Sequence, residues 1–141
     1  MGVIKLGKWI IAAAWPYVNF IPHLGTMISS ILPGDVFTRF LRMLGEDVIY
    51  VSGSDEHGTP IEVEASLKGV SPREITDEIH GKILKLFKEW SINFDYYSRT
   101  ESPYHIEFVR DFYKKVYENG YIFVKEEEVL YCEKCKRYLP D

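Results

Sequence analysis

Trp9-Ile10-Ile11-Ala12-Ala13-Ala14, halted by Pro16, is the kind of short continuous apolar run that a strand shows when a parallel sheet buries both its faces. From Gly25 to Leu44, apolar residues then fall at Ile28, Ile31, Leu32, Val36, Phe40 and Met43. That near-helical spacing predicts a helix kinked at Pro33 and stopped by Gly45. Val48-Ile49-Tyr50-Val51 follows as a second buried strand. Strand, helix and strand over this length make a right-handed βαβ unit, so the chain reads as α/β with a sheet that begins parallel.

Further along the chain, Ser71-Pro72-Arg73-Glu74 combines an N-cap, a proline at the first helical position and a capping-box glutamate. The helix it opens carries Ile75, Ile79, Ile83, Leu86 and Trp90 on one face. A third strand is expected near Tyr96 to Ser98. Ser102-Pro103 opens a further helix, with Ile106, Val109, Phe112 and Val116 facing inward and Gly120 as its stop. Tyr121-Ile122-Phe123-Val124 and Val129-Leu130-Tyr131 read as a hairpin leading into Cys132 and Cys135.

The 141 residues are 46% hydrophobic and 15% aromatic, enough to build a core, which excludes a disordered chain. With 17 basic against 21 acidic side chains the formal charge is -4, so nucleic-acid binding cannot rest on bulk basicity. The run ending at Ala14 is too short to span a bilayer and no leader pattern follows it, so the expectation is a soluble, cytoplasmic protein. Two cysteines in one close pair are not the spread framework of a disulfide-stapled secreted domain.

Ligands of an open α/β sheet bind beyond the carboxyl ends of its strands. Two polar loops fall there. The first, Trp15 to Thr26, sets His23 just ahead of a helix whose unpaired amides favour an anion; the second, Ser52 to Thr59, carries Asp55 and His57. Gly25 lets a nucleotide approach the backbone, and His23 can donate to a phosphate oxygen, although a histidine here can also simply cap or pack the loop. Trp15 and Tyr17 suit either a ligand pocket or core packing, and His57 either a ligand or a brace for the loop holding Asp55. Cys132 and Cys135 have the two-residue gap of half a zinc site, with a redox pair or two inert thiols as alternatives. Lys82, Lys85 and Lys88 read as the solvated side of a helix.

Taken together, Trp15-Pro16-Tyr17-Val18-Asn19, Pro22-His23-Leu24-Gly25 and Gly53-Ser54-Asp55-Glu56-His57-Gly58-Thr59-Pro60 resemble the class I aminoacyl-tRNA synthetases, specifically their methionine-specific branch in its archaeal form. The resemblance runs along essentially the whole chain. It implies a Rossmann-type catalytic domain whose N-terminal part is residues 1–120, with residues 121–141 beginning a connective zinc-knuckle insertion. It further implies that His23, Leu24, Gly25 and Thr26 hold ATP with its Mg2+, that His23, Gly25 and Thr26 serve catalysis, and that Trp15, Tyr17, Asp55 and His57 bind methionine. Methionyl-adenylate would form first, and methionine would then pass to tRNA(Met). No DNA or membrane partner is implied.

Thr26 departs from the family's His-x-Gly-His signature, putting a neutral hydroxyl where a second histidine usually stands. The family's lysine-rich second ATP signature is absent from these residues, and the sequence stops after half a metal site. The expectation is therefore an N-terminal segment of a longer enzyme, inactive alone. Three rivals remain: a related synthetase of isoleucine type, a small nucleotidylyltransferase sharing the histidine loop, and a non-catalytic fragment.

Overall fold

Strands β1 (Lys8–Ala12), β2 (Asp47–Ser54) and β3 (Tyr96–Arg99) lie side by side in that order, and both pairings are parallel. Lys8 pairs with Asp47 at one end of the first ladder, and Ser54 pairs with Arg99 at one end of the second. The structure is a computed structural model that describes residues 7–134 and 136–138. The chain divides into two units, Met1–Ile106 and Glu107–Asp141. No helix among the described residues is long and apolar enough to cross a membrane.

In the first unit, β1 leads into α1 (Leu24–Thr26), a π-helical turn (Met27–Ile31) and α2 (Leu32–Met43). Two helices separate β2 from β3: α3 (Thr59–Lys68) and α4 (Pro72–Glu89). Both crossovers step the same way along the sheet, so right-handed connections place their helices on one face. The core lies under them, built from Met27, Ile31, Tyr50, Ile61, Ala65, Ile75, Ile79, Ile83 and Phe87. Tyr50 anchors it, its hydroxyl donating to the Ile31 carbonyl at 2.6 Å and its ring stacking on Phe94 at 4.2 Å.

That one-sided arrangement corrects the expectation of strands buried on both faces. Along β1 burial alternates, leaving Ile10 71% exposed, and on β2 Ile49 is 43% exposed beside it. A continuous apolar run signals two covered faces, but the helices of this unit cover only one.

The helix expected from residue 25 starts at Leu24, and the break anticipated at Pro33 takes the form of the π-helical turn just before it. Proline removes one backbone donor and crowds the preceding turn, and a wider turn absorbs both effects. The neighbouring Gly34 serves packing, since a Cβ there would come within 2.6 Å of the Tyr50 ring. Buried Asp35 accepts from Arg39 Nε and the Asn93 amide, while Asp95 accepts from Arg42 and the Tyr50 amide, so α2 is bolted to the turn before β3.

Helix α3 was not anticipated. Its two buried residues, Ile61 and Ala65, give too faint a stripe, although Pro60 in its first turn and left-handed Gly69 at its end mark its limits. At α4 the full capping box forms: Ser71 Oγ accepts from the Glu74 amide and Glu74 accepts from the Ser71 amide. Ile75, Ile79 and Ile83 are buried as expected, whereas Trp90 is the C-cap and is 40% exposed.

Helix α5 spans Pro103–Glu118, as its opening signal predicts, and Gly120 beyond it has positive φ. None of its residues is buried. The inward face expected for it is corrected accordingly: Val109 and Phe112 are exposed, and Ile106 and Val116 are half-buried. The expected hairpin of residues 121–131 is also overturned. Residues 121–130 form no strand, and the pairing is between β4 (Tyr131–Cys132) and β5 (Arg137–Tyr138), antiparallel. Three consecutive glutamates, Glu126 to Glu128, oppose strand pairing in that stretch.

Candidate active site

Past the carboxyl end of β1 the chain forms an open cleft of about 310 Å3, lined by Trp15, Tyr17, Asn19, Pro22, His23 and Thr26 among others. Four residues expected in one site are thus brought together. Backbone bonds continue the β1–β2 pairing outward: Ala13 N–H donates to the Val51 carbonyl at 3.1 Å, Asp55 N–H to the Pro16 carbonyl at 3.0 Å, and Val18 N–H to the Asp55 carbonyl at 2.9 Å. Tyr17 and Asp55 therefore face each other as a parallel bridge. Asp55 does not line the cleft; it stands beside its Tyr17 wall, half-buried, with its carboxylate unpaired among the described residues.

The Tyr17 hydroxyl is buried without a hydrogen-bond partner among the described residues. Burial raises its pKa, the nearby Ile61 backbone partly offsets that rise, and the Asp55 carboxylate adds a smaller one. Gly58 makes this placement possible, because its φ of +147° and the 2.5 Å that would separate a Cβ there from the Tyr17 hydroxyl both demand glycine.

His23 is the N-cap of α1. Its Nδ1 accepts from the Thr26 amide at 3.3 Å, and its Nε2 lies 3.3 Å from Thr26 Oγ1. The ring is exposed and folds back over Gly25, where a Cβ would fall 2.8 Å from it. Gly25 therefore makes room for the His23 ring, a role besides nucleotide approach. Leu24 is 63% exposed.

The second loop is held by residues that sequence reasoning did not single out. The Glu56 carboxylate is fully buried and accepts from Arg99 Nε at 2.8 Å, Arg99 Nη2 at 2.5 Å and the Glu101 amide at 3.1 Å. Thr100 Oγ1 accepts from the Glu56 amide, and Arg99 also reaches Asp77 on α4 at 2.5 Å. These bonds raise the Arg99 pKa, the bond to Glu56 contributing most. His57 pairs with Glu101 at 2.9 Å and so sits as a brace on the same turn. A glutamate between Asp55 and His57 in a polar loop carries no signal of burial, which becomes apparent only when β3 is in place. Gly53 and Gly58, in contrast, stand in the quoted motif itself.

In the second unit, Cys132 ends β4 with Arg137 as its register partner, whereas Cys135 lies outside the described residues. Among the described residues no group of three or more His, Cys, Asp or Glu side chains is placed to hold a metal ion.

The family model described as tRNA synthetases class I (M) matches residues 9–141. The chain is similar to the methionine–tRNA ligase of Ignicoccus hospitalis, 59% identical over 136 residues covering 96% of this chain and 24% of that protein. It is also similar to the methionine–tRNA ligase of Thermofilum pendens, 56% identical over 141 residues covering 100% of this chain and 25% of that protein. The chain thus spans about a quarter of the length of the curated relatives it matches. Among solved structures, the ternary LeuRS–tRNA–LeuAMS complex from Agrobacterium radiobacter K84 superposes with a TM-score of 0.81, covering 96% of this chain and 18% of that one. At 20% identity this likeness speaks for the fold alone.

Proposed function

The chain belongs to the class I tRNA synthetases, and from that premise we propose that it supplies the ATP loop and part of the amino-acid pocket of a methionine–tRNA ligase acting in cytoplasmic protein synthesis. The observation that carries this reading is the Tyr17–Asp55 bridge, which ties the cleft of Trp15, Tyr17, His23 and Thr26 to an unpaired carboxylate suited to the methionine ammonium. Similarity to methionine–tRNA ligases at 54–59% identity supports the same substrate.

The methionine carboxylate oxygen forms a bond to the α-phosphorus of ATP while the bond to the bridging oxygen breaks and pyrophosphate leaves. No protein nucleophile is needed, so the work is positioning and charge stabilisation. His23 donates to a phosphate oxygen once its ring turns from Thr26, and Gly25 and Leu24 leave backbone open to the nucleotide. Thr26 contributes a hydroxyl in place of a cation. Trp15 and Tyr17 wall the methionine side chain, and Asp55 accepts from its ammonium. His57 braces the Asp55 loop through Glu101. Mg2+ bound with ATP would offset phosphate charge.

Residues 1–120 are assigned to the N-terminal part of the catalytic domain and 121–141 to the start of the connective insertion. Cys132 and Cys135 are assigned to half of a structural zinc knuckle, a reading supported by their two-residue gap and by the antiparallel β4–β5 pairing in which Cys132 takes part. tRNA(Met) is the proposed acceptor. A polypeptide of residues 1–141 alone, having no second lysine-rich phosphate loop, is expected to lack exchange activity.

The test is ATP–pyrophosphate exchange by the full-length protein carrying this sequence, with methionine, isoleucine and no amino acid. Methionine-dependent exchange is expected. Exchange selective for isoleucine, or turnover of cytidine triphosphate with a phosphorylated alcohol, overturns the assignment.

A further inference from the structure

The geometry points to Gly53 and His105 as positioning residues that set amino-acid selectivity by fixing the indole of Trp15 through two separate contacts. The inference rests on the reading of Trp15 as a wall of the methionine pocket.

On the sheet side, the distal edge of the indole lies directly over the Cα of Gly53. A Cβ at that position would stand 2.7 Å from Cζ2, Cζ3 and Cη2 alike, closer than nonbonded carbons approach. An indole has no flexible end that can bend away from such a contact. Any side chain at 53 therefore displaces the whole ring from its place against the sheet, and with it the cleft wall that Trp15 forms. The His105 ring in the first turn of α5 makes a second contact with the indole, at 5.6 Å between centroids and a 40° tilt.

Trp15 is 37% exposed and lines the cleft, whereas Gly53 and His105 do not line it. Their influence on a ligand must pass through the indole. Gly53 is the penultimate residue of β2 and pairs with Ser98 of β3, so its backbone is as rigid as the sheet allows. The position of the wall is consequently set by the sheet and by α5 rather than by the mobile tip of a side chain. This matters for methionine because a sulfur–ring contact is worth only about 0.3–1.5 kcal/mol. Discrimination against amino acids one methylene longer or shorter must come from where the wall stands.

The test uses the full-length protein carrying this sequence, with exchange kinetics against methionine, norleucine and ethionine. Gly53→Ala is expected to raise the methionine KM by about fivefold or more and to shift preference among the three amino acids, while the ATP KM stays within about twofold. Once Trp15→Leu has removed the indole, adding Gly53→Ala should have no further effect on methionine KM. His105→Ala should raise the methionine KM in the same direction, and His105→Phe should restore it. His105 is half-buried, so this arm does not depend on a core position that the fold needs.

An equal effect of Gly53→Ala with and without Trp15, or no effect in either background, overturns the inference, as does His105→Ala behaving like the parent protein. If Trp15→Leu itself leaves methionine KM unchanged, the pocket reading has failed, and the inference falls with it for that separate, identifiable reason.

Discussion

Tyr17 and Asp55 sit opposite one another beyond the strand ends, with the amide and the carbonyl of Asp55 both bonded to the chain on either side of Tyr17. β1 ends at Ala12 and β2 at Ser54, yet an isolated parallel bridge forms beyond them, with the register changed by one residue. The Asp55 carboxylate thereby acquires a fixed place through its backbone, with no side-chain bond needed to hold it.

Replacement of Asp55 by asparagine should therefore leave the fold intact and remove only the charge. An ammonium–carboxylate bond is worth about 1.5–3 kcal/mol, which corresponds to a rise in methionine KM of about tenfold to a hundredfold. Exchange kinetics on the full-length Asp55→Asn protein, alongside thermal melting, check both halves. An unchanged KM would remove Asp55 from the amino-acid site.

Gly58→Ala should do the opposite, striking structure first. The residue combines a φ of +147° with a contact of 2.5 Å between the added Cβ and the Tyr17 hydroxyl. The backbone strain alone is worth about 1–3 kcal/mol. Urea unfolding should register that loss, and the displacement of Tyr17 should weaken methionine binding as well. A variant as stable as the parent would show that the loop relaxes freely around this position.

How much of this was legible in the sequence follows from the range of each interaction. Ser71, Pro72 and Glu74 act on one another within a single turn, and the capping box they predict forms in full. The βαβ unit and the cleft residues Trp15, Tyr17, His23 and Thr26 were legible because strand ends determine where loops meet. Glu56 and Arg99 were not, since 43 residues separate them and neither bears a local mark of burial. Helix α3 escaped because its apolar stripe is two residues long, and Ile10 and Ile49 misled because composition does not reveal how many faces of a sheet are covered.

The Glu56–Arg99 pair yields a stability prediction. Glu56 is wholly buried and Arg99 is its only side-chain donor among the described residues, so Arg99→Met strands a carboxylate. Breaking a buried pair from one side costs about 3–5 kcal/mol. The double replacement Glu56→Gln with Arg99→Met removes the stranded charge and should recover part of the loss. Denaturant midpoints of the three variants decide it, and a double variant no better than Arg99→Met alone would argue against charge burial as the cause.

His80 supplies the pH dependence. Its Nδ1 lies 2.8 Å from buried Ser54 Oγ, and its ring stacks on Tyr97, whose own hydroxyl is pushed up to about 12 by burial. Burial first, and the Arg99 guanidinium second, hold the imidazole below its ordinary value of 6.5, with Glu56 and Asp77 pulling weakly the other way. The unfolded chain therefore binds a proton at His80 more readily than the folded one does. The contribution to stability is full above the unfolded value and is lost as pH falls from there towards the folded one. Urea midpoints should decline below about pH 6.5 more steeply in the parent protein than in His80→Gln. The carboxylates act in both proteins, so the difference between the two curves isolates the imidazole, and superimposable curves would mean that His80 takes up its proton in the folded state without penalty.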